Sequence, residues 1–332
     1  MTVVDQERTL QENGNEKLLI SKVKRLGNPI SILLLNSDCK IFTVPGIDGC
    51  VGYQLVGNCA VVIGDPLCLK EQVSKLIDSF HAYCKEQNWT TVYFLASEAF
   101  AHYATGQHLC CSLLQIGSQL NIDPTKFHLK QKLRWKINHS LKAGVIIKEH
   151  REQDHSMDDQ MKAAMKTWQE SKHGFQIYLG SFDLYANYKE KRIFYALEEG
   201  KIIGILTMIR LDHFQGWAIT SFLALPNTPA GITEHLMCHV FTILSAENCR
   251  FLCLGFISGM KIGETAGLNP FSTFFAKLVF TLSRWLFHLD EKSIYLKKYS
   301  PTLSKTYILC DDKIGISELL AIKNTLKVKL CL

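Results

Sequence analysis

The stretch KRIFYALEEGKIIGILTMIRL (residues 191–211) decides the fold prediction for this chain. Two alternating apolar runs flank Glu198-Glu199-Gly200-Lys201, which predicts two strands joined as a tight hairpin. WAITSFLAL (217–225) predicts a third strand, and FLCLGFI (251–257) predicts a further one. Between these two strands, residues 232–248 have the apolar spacing of an amphipathic helix. This half of the chain is therefore predicted to form a sheet that carries a helix.

The first half of the chain repeats this pattern without visible sequence identity. Its helices are predicted at about 68–87 and in a basic segment that follows Pro124, and its strands are predicted at 30–36, 40–45, 50–56, 59–64, 90–96, 110–117 and 145–149. The polar segment 150–160 is interpreted as a linker between two lobes, 1–150 and 151–332. Acyltransferases of the N-acetyltransferase class have the same element order, which is a hairpin, a third strand, a turn, a helix and another strand. We therefore predict a mixed α/β protein with a tandem GNAT-like acyltransferase fold, in which splayed central strands expose backbone N–H groups.

The segment from Pro124 to Lys148 has seven Lys or Arg residues and no acidic residue. Leu129, Leu133, Ile137 and Leu141 recur every four residues, which predicts a helix with one buried stripe. Asp123-Pro124 predicts the start of this helix, and Gly144 predicts its end. A solvated basic face and a phosphate-binding surface both explain this charge pattern.

Composition restricts the function classes. With 47% hydrophobic and 20% charged residues the chain is globular, and its net charge of +6 permits an anionic partner. The polar N-terminus lacks the apolar core of a signal peptide, and the twelve Cys residues contain no CxxC pair. We therefore expect a cytoplasmic protein with buried thiols, without a metal site and without an organic cofactor.

The segment 270–288 is unusually apolar for a surface helix. It contains ten large hydrophobic residues but is interrupted by Lys277 and Arg284, so it lacks the eighteen uncharged apolar residues that would predict a spanning helix. A core helix, a helix in the membrane interface and the wall of an acyl-chain tunnel remain as three interpretations.

Several short motifs give the chain a resemblance to a known family. They are Gly64-Asp65-Pro66, Phe127 through Arg134 with Asn138 and Gly144, Gly174-Phe175 with Leu179-Gly180-Ser181-Phe182, Pro229-Ala230-Gly231-Ile232-Thr233-Glu234, Leu254-Gly255, and Leu296-Lys297-Lys298-Tyr299-Ser300-Pro301 with Tyr307. In this order and spacing, from about residue 55 to 325, the chain resembles the catalytic domain of MprF-type phosphatidylglycerol lysyltransferases.

The resemblance implies an aminoacyl-tRNA donor and the hydroxyl of an anionic membrane phospholipid, such as phosphatidylglycerol, as the acceptor. It also implies contact with the inner face of the membrane. Larger relatives obtain this contact from an N-terminal transmembrane domain, and here segment 270–288 is the candidate. The chain departs from the family at Phe222-Leu223-Ala224-Leu225, where an Asp-Leu-Met-Arg motif is usual. Retained activity, a different substrate and lost activity all remain open at this point.

Glu234 is the candidate catalytic residue, because an acid at a helix start next to splayed strands can act as a base or bind an amine. Complementation of the helix dipole explains it equally well. Arg134 is the candidate phosphate ligand, with Lys130, Lys142 and Asn138 on the same helix. His235 and His239 lie four residues apart, but they lack an HExxH context and are interpreted as ordinary histidines.

The other candidate binding residues have competing structural roles. Lys298 and Tyr299 lie in a second basic cluster that is a candidate for substrate binding, in which Tyr299 would stack on a terminal adenine, and an ordinary basic loop explains the cluster almost as well. Asp65 is interpreted mainly as a turn residue that also borders the site. Gly180 and Gly231 are interpreted as positions where a side chain would obstruct a close approach.

Three other functions remain as alternatives. A CoA-dependent N-acyltransferase is disfavoured because Pro226 and Pro229 remove N–H donors from the expected pyrophosphate loop. A peptidyltransferase that uses aminoacyl-tRNA to build cell-wall cross-bridges is disfavoured by the apolar segment 270–288. A non-catalytic relative that binds lipid or tRNA is kept open by the missing Asp and Arg.

Overall fold

A computed structural model describes residues 8–9, 13–36, 39–150, 155–172, 174–176, 191–286, 289–326 and 329–331. Its strands are β1 Arg8–Thr9, β2 Lys40–Phe42, β3 Val51–Val56, β4 Cys59–Ile63, β5 Thr90–Ser97, β6 Ser112–Ile122, β7 Ile146–Glu149, β8 Gly174–Gln176, β9 Lys191–Glu198, β10 Lys201–Leu211, β11 Gly216–Ala224, β12 Leu252–Ser258, β13 Thr265–Ala266, β14 Thr302–Cys310 and β15 Lys329–Cys331. Its α-helices are α1 Asn13–Leu26, α2 Val73–Glu86, α3 Glu98–Gly106, α4 Gln131–Lys142, α5 His155–Glu170, α6 Ile232–Ala246, α7 Pro270–Leu286, α8 Leu289–Lys297 and α9 Ile316–Thr325. The predicted mixed α/β class is confirmed.

The first compact unit comprises residues 1–120, 175–182 and 256–330. Its strands lie in the order β1-β2-β3-β4-β5-β14-β6. The pairs from β1 to β4 are antiparallel, whereas β4 and β5 are parallel and are connected through α2. Helix α2 packs on the sheet through Phe80 and its neighbours, where Tyr53, Tyr93 and Tyr307 join one aromatic core. Burial of these rings stabilises this unit.

The second compact unit comprises residues 121–174, 183–255 and 331–332. Strands β7, β9, β10 and β11 are antiparallel neighbours, and β11 and β12 are parallel and connected through α6. Glu199 and Gly200 have φ values of 49° and 78°, so both residues of the predicted hairpin turn are left-handed, as a type I′ turn requires. Both units thus contain the predicted order of antiparallel strands, crossover helix and parallel strand.

These units differ from the predicted lobes 1–150 and 151–332. The C-terminal strand β14 pairs antiparallel with β5, from Thr306 opposite Ser97 to Cys310 opposite Val92. This pairing places residues 256–330 in the same unit as the first 120 residues. Nothing local in the sequence indicates such a pairing, because its partners are about 210 residues apart.

The predicted strand at 30–36 is wrong, since Pro29–Asn36 forms a 3-10 helix. The side-chain oxygen of Asn28 accepts hydrogen bonds from the backbone N–H groups of Ile30 and Ser31, which starts a helical turn. Ile30, Ile32 and Leu34 are all buried in this conformation. A short apolar run is compatible with either structure by its pattern alone.

Helix α4 corresponds only in part to the predicted basic helix. A separate 3-10 turn, Pro124–Lys126, is capped by Asp123, and α4 itself begins at Gln131. The buried stripe is shorter than predicted, because Leu133 is buried whereas Leu129 and Leu141 are exposed. The predicted end is confirmed, because Gly144 follows the last turn with a φ of 78°. Most of the surface of α4 therefore faces solvent.

The predicted apolar helix corresponds to α7, and residues 287–288 lie outside the described residues. Within the described part of the chain, no helix combines the length and hydropathy that crossing a bilayer requires.

Candidate functional site

Strands β11 and β12 separate within the second unit. They pair only at Trp217 opposite Leu252 and at Ala218 opposite Cys253. Directly after these pairs, the register of β11 against β10 shifts, which leaves Thr220 as an extra residue in β11. Its hydroxyl lies 2.6 Å from that of Thr207 on β10. A bulge bends its strand, so the parallel ladder ends here and the predicted splayed strands are present.

The open end of this wedge lies next to the start of α6. Strand β11 ends at Ala224, and the helix begins at Ile232 after a left-handed Gly231 with a φ of 92°. A β-carbon added at Gly231 would overlap the carbonyl oxygen of Lys136 on α4. The predicted close approach at Gly231 is therefore confirmed, and the group that approaches is the backbone of α4.

A salt bridge fixes α4 to the first turn of α6. The Nζ atom of Lys136 lies 2.6 Å from Oε1 of Glu234, and the hydroxyl of Thr233 donates to Oε2 at 2.9 Å. Glu234 is only 2% exposed, whereas almost half of the Lys136 side chain is exposed. The carboxylate accepts both bonds in a buried place, so its observed contacts anchor α4. The catalytic role of Glu234 remains a prediction.

Two further contacts hold the same helix pair together. Ser140 is buried, and its hydroxyl oxygen lies 3.1 Å from Nδ1 of His235. Phe127, before α4, makes an edge contact with Phe241 of α6, with ring centroids 4.7 Å apart. Burial lowers the pKa values of His235 and His239 below 6.5, so both rings are neutral at pH 7.

These lowered pKa values predict a pH dependence of stability. The unfolded chain binds protons at these histidines more readily than the folded chain does. Their contribution to stability is thus complete above about pH 6.5 and is lost as the pH falls below that value. We expect His235→Asn to lose less stability between pH 7 and pH 5 than the unmodified protein, as measured by urea unfolding. Parallel losses in the two proteins would contradict this assignment.

The predicted phosphate ligands share one side of α4. Arg134, Asn138 and Lys142 are all exposed and follow each other in steps of four residues, on the side turned away from Lys136. Lys130 occupies the N-cap position of the same helix. Trp135, which is 65% exposed, stacks against His139 next to these cations. The structure therefore brings these four residues together on one anchored helix, and their binding role remains a prediction.

Asp65 belongs to the first unit and has a structural role there. It accepts hydrogen bonds from the backbone N–H and the hydroxyl of Ser97 and from the side-chain amide of Asn28. Burial raises its pKa, and these hydrogen bonds oppose that effect. Asp65 thus ties the end of β4 to the N-cap of α3 and to the turn before the 3-10 helix.

Tyr299 cannot stack on a base in this arrangement, because it is only 1% exposed. Its hydroxyl lies 3.3 Å from that of Tyr295, and the Nζ atom of Lys298 lies 3.3 Å above the Tyr295 ring. The aromatic face that an adenine would need is covered by the protein. Gly180 lies outside the described residues. Among the residues that the structure describes, no cluster of His, Cys, Asp or Glu is arranged to hold a metal ion.

Sequence reasoning missed that Lys136 is the partner of Glu234. The only local signal is that Pro229-Ala230-Gly231 removes side-chain bulk before α6, which indicates a close approach but not its partner. The two residues are 98 positions apart, so only the packing of α4 on α6 shows the contact.

The protein-family model described as "phosphatidylglycerol lysyltransferase, C-terminal" matches residues 20–310 of this chain. The chain belongs to this family. A phosphatidylglycerol lysyltransferase of Staphylococcus haemolyticus is 20% identical over 292 residues, which cover 85% of this chain and 34% of the relative. The chain therefore spans about a third of the length of that curated relative.

Solved structures show the same fold. The structure of L-PGS from Bacillus licheniformis has a TM-score of 0.79 at 15% identity. The match covers 97% of this lysyltransferase-family chain and 98% of the L-PGS chain. The C-terminal domain of a putative lysylphosphatidylglycerol synthetase from Agrobacterium fabrum has a TM-score of 0.75 at 14% identity. The match covers 97% of this chain and 99% of that domain. At these identities the likeness shows the fold alone.

Proposed function

We propose that this chain transfers an aminoacyl group from aminoacyl-tRNA to a hydroxyl of phosphatidylglycerol or a similar anionic membrane lipid. The observation that carries the proposal is the exposed cationic side of α4 in a chain of the phosphatidylglycerol lysyltransferase family. The site of action is the cytoplasmic face of the membrane, because charged tRNA is available there.

The proposed reaction exchanges one ester for another. The lipid hydroxyl attacks the aminoacyl carbonyl carbon, a new ester bond forms, and the bond to the terminal ribose oxygen of the tRNA breaks. The proton of the lipid hydroxyl ends on the released ribose hydroxyl, so atoms and charges balance without a metal or an organic cofactor. Such a reaction depends on the orientation of two large substrates and on stabilisation of the oxyanion.

Residues of the second unit supply these needs in the proposal. Arg134, with Lys130, Lys142 and Asn138, binds phosphate groups of the tRNA end or the lipid, because a guanidinium can bind phosphate through two hydrogen bonds. The wedge between β11 and β12 provides backbone polar groups for the reacting carbonyl. Lys136 and Glu234 hold α4 at this end of the wedge.

The start of α6 argues against CoA as the donor. In a CoA-dependent enzyme of this fold, the pyrophosphate lies on the first turn of the corresponding helix. Here the backbone of Lys136 lies against Gly231, and the Glu234 carboxylate lies in the same turn. The backbone of α4 thus already occupies the space in front of Gly231 where a pyrophosphate would approach the helix.

The proposal is tested by incubating the protein with radiolabelled aminoacyl-tRNAs and detergent-solubilised phosphatidylglycerol and measuring label in the organic phase. We expect label there. Label transferred only to a peptidoglycan precursor would favour a peptidyltransferase, and transfer only from acetyl-CoA would favour an N-acyltransferase. No transfer from any donor would mean that the chain is a non-catalytic relative.

Arg134→Ala is expected to raise the KM for aminoacyl-tRNA roughly tenfold and to reduce the salt dependence of binding by about one charge. The matched control is Arg250→Ala, which removes an exposed arginine of the same unit outside α4. Initial rates of transfer at several aminoacyl-tRNA concentrations measure the KM, and filter binding at several salt concentrations measures the salt dependence. An unchanged salt slope in Arg134→Ala, or equal losses in the two variants, would remove Arg134 from the phosphate site.

A further inference from the structure

Helix α7 has an exposed apolar side. Phe271 and Phe274 are 68% and 65% exposed, and Leu278 and Leu282 are 45% and 54% exposed. At 100° per residue these four side chains lie within an arc of about 80°. The opposite side of the helix packs into the first unit through Ala276 and Phe280. Since that side supplies the packing, the exposed stripe is not needed to hold α7 on the protein.

The surroundings of this stripe carry positive charge. No Asp or Glu occurs between Glu264 and Asp290. Lys277 is exposed on the flank of the stripe, and together with Lys261 it lines a cavity of about 610 Å³ beside α7. Arg284, by contrast, forms a salt bridge with Asp290 at 2.7 Å. Among the described residues that line this cavity, the charged ones are therefore the two lysines.

We propose that the α7 face docks on an anionic phospholipid bilayer, with the Phe271–Leu282 stripe below the headgroups and Lys261 and Lys277 at the level of the phosphates. A phenylalanine and leucine stripe bordered by lysines fits such a surface, because apolar burial and attraction to anionic lipids then act together. A second copy of the chain fits less well, since a two-fold contact through this stripe would bring like charges of the two copies together.

Co-sedimentation with vesicles tests this docking. We expect the protein to bind vesicles of phosphatidylcholine and phosphatidylglycerol in equal amounts at least tenfold more tightly than vesicles of phosphatidylcholine alone. Leu282→Gln is expected to weaken binding to the anionic vesicles several-fold, and Phe271→Gln with Phe274→Gln at least tenfold. Lys277→Gln is expected to reduce the preference for anionic vesicles.

Leu69→Gln is the matched control, because Leu69 is 50% exposed on the first unit outside α7. Equal losses in Leu69→Gln and Leu282→Gln, or no binding of the unmodified protein to either vesicle, would overturn the proposal. A monomer–dimer equilibrium that Phe274→Gln abolishes, with vesicle binding unchanged, would assign the stripe to a second copy and would overturn it too.

A spectroscopic measurement shows direct contact. We expect the fluorescence of Phe274→Trp to shift to shorter wavelength on anionic vesicles and to be quenched by brominated lipid, relative to the unmodified protein, whereas Leu69→Trp adds no such signal. This inference rests on the proposed function only for the presence of a lipid acceptor. Vesicle binding is measured without transfer, and transfer is measured on detergent-solubilised lipid, so failure of one is distinguishable from failure of the other.

Discussion

Gly231→Ala is expected to lower the free energy of unfolding by about 3 kcal/mol. Two costs add at this residue. A φ of 92° is unfavourable for alanine by about 1–2 kcal/mol, and overpacking typically costs a further 1–3 kcal/mol. The overlap is with the backbone carbonyl of Lys136 and not with a flexible side chain, so α4 has to move away from α6. Urea unfolding measures the loss of stability, and the transfer assay measures the consequence for activity.

Gly144→Ala is the control for this prediction. Gly144 has a φ of 78° at the end of the same helix α4, but an added β-carbon there would meet no atom within 4 Å. This variant is expected to lose only the conformational part, about 1 kcal/mol. Equal losses at the two positions would show that the contact between Gly231 and Lys136 carries no energy.

Lys136→Met is expected to cost more stability than Glu234→Gln, although the two changes break the same salt bridge. Removal of Lys136 leaves a carboxylate that is 2% exposed without its salt bridge. Loss of one partner of a fully buried pair costs about 3–5 kcal/mol. Because the Lys136 side chain is almost half exposed, we expect Lys136→Met to lower the free energy of unfolding by less than this, about 2–3 kcal/mol. Glu234→Gln keeps polar atoms in place and leaves a lysine that can reach water, for a loss of about 1 kcal/mol.

A double-mutant cycle with Lys136→Met and Glu234→Gln measures the interaction between the two side chains. A larger loss in Glu234→Gln than in Lys136→Met would contradict the anchoring role.

The transfer assay separates anchoring from catalysis. A general base is worth about 10²–10⁴-fold, so a catalytic Glu234 predicts at least a hundredfold loss of kcat in Glu234→Gln with Lys136→Met much less affected. An anchor predicts similar losses of kcat in both variants.

Much of the fold was predictable from sequence because its signals are local. Glu199-Gly200 predicted the hairpin turn, since glycine takes a left-handed conformation easily, and Gly144 predicted the end of α4 for the same reason. The strand at 30–36 was mispredicted, because the hydrogen bonds of the Asn28 side chain decide between helix and strand in an apolar run. The exposed apolar stripe of α7 was equally undecided, because periodicity does not show which of two apolar sides is covered.

By itself the sequence determined the mixed α/β class, the order of antiparallel strands, crossover helix and parallel strand, the positive charge of α4 and the membership suggested by spaced motifs. These depend on residues near one another in the chain. Only the tertiary structure decided that β14 joins β5, that Tyr299 is buried and that Glu234 pairs with Lys136. The two pairings join residues that are distant in sequence, and the burial of Tyr299 depends on how the chain packs around it. The free energy that selects all three comes from packing, which no local pattern encodes.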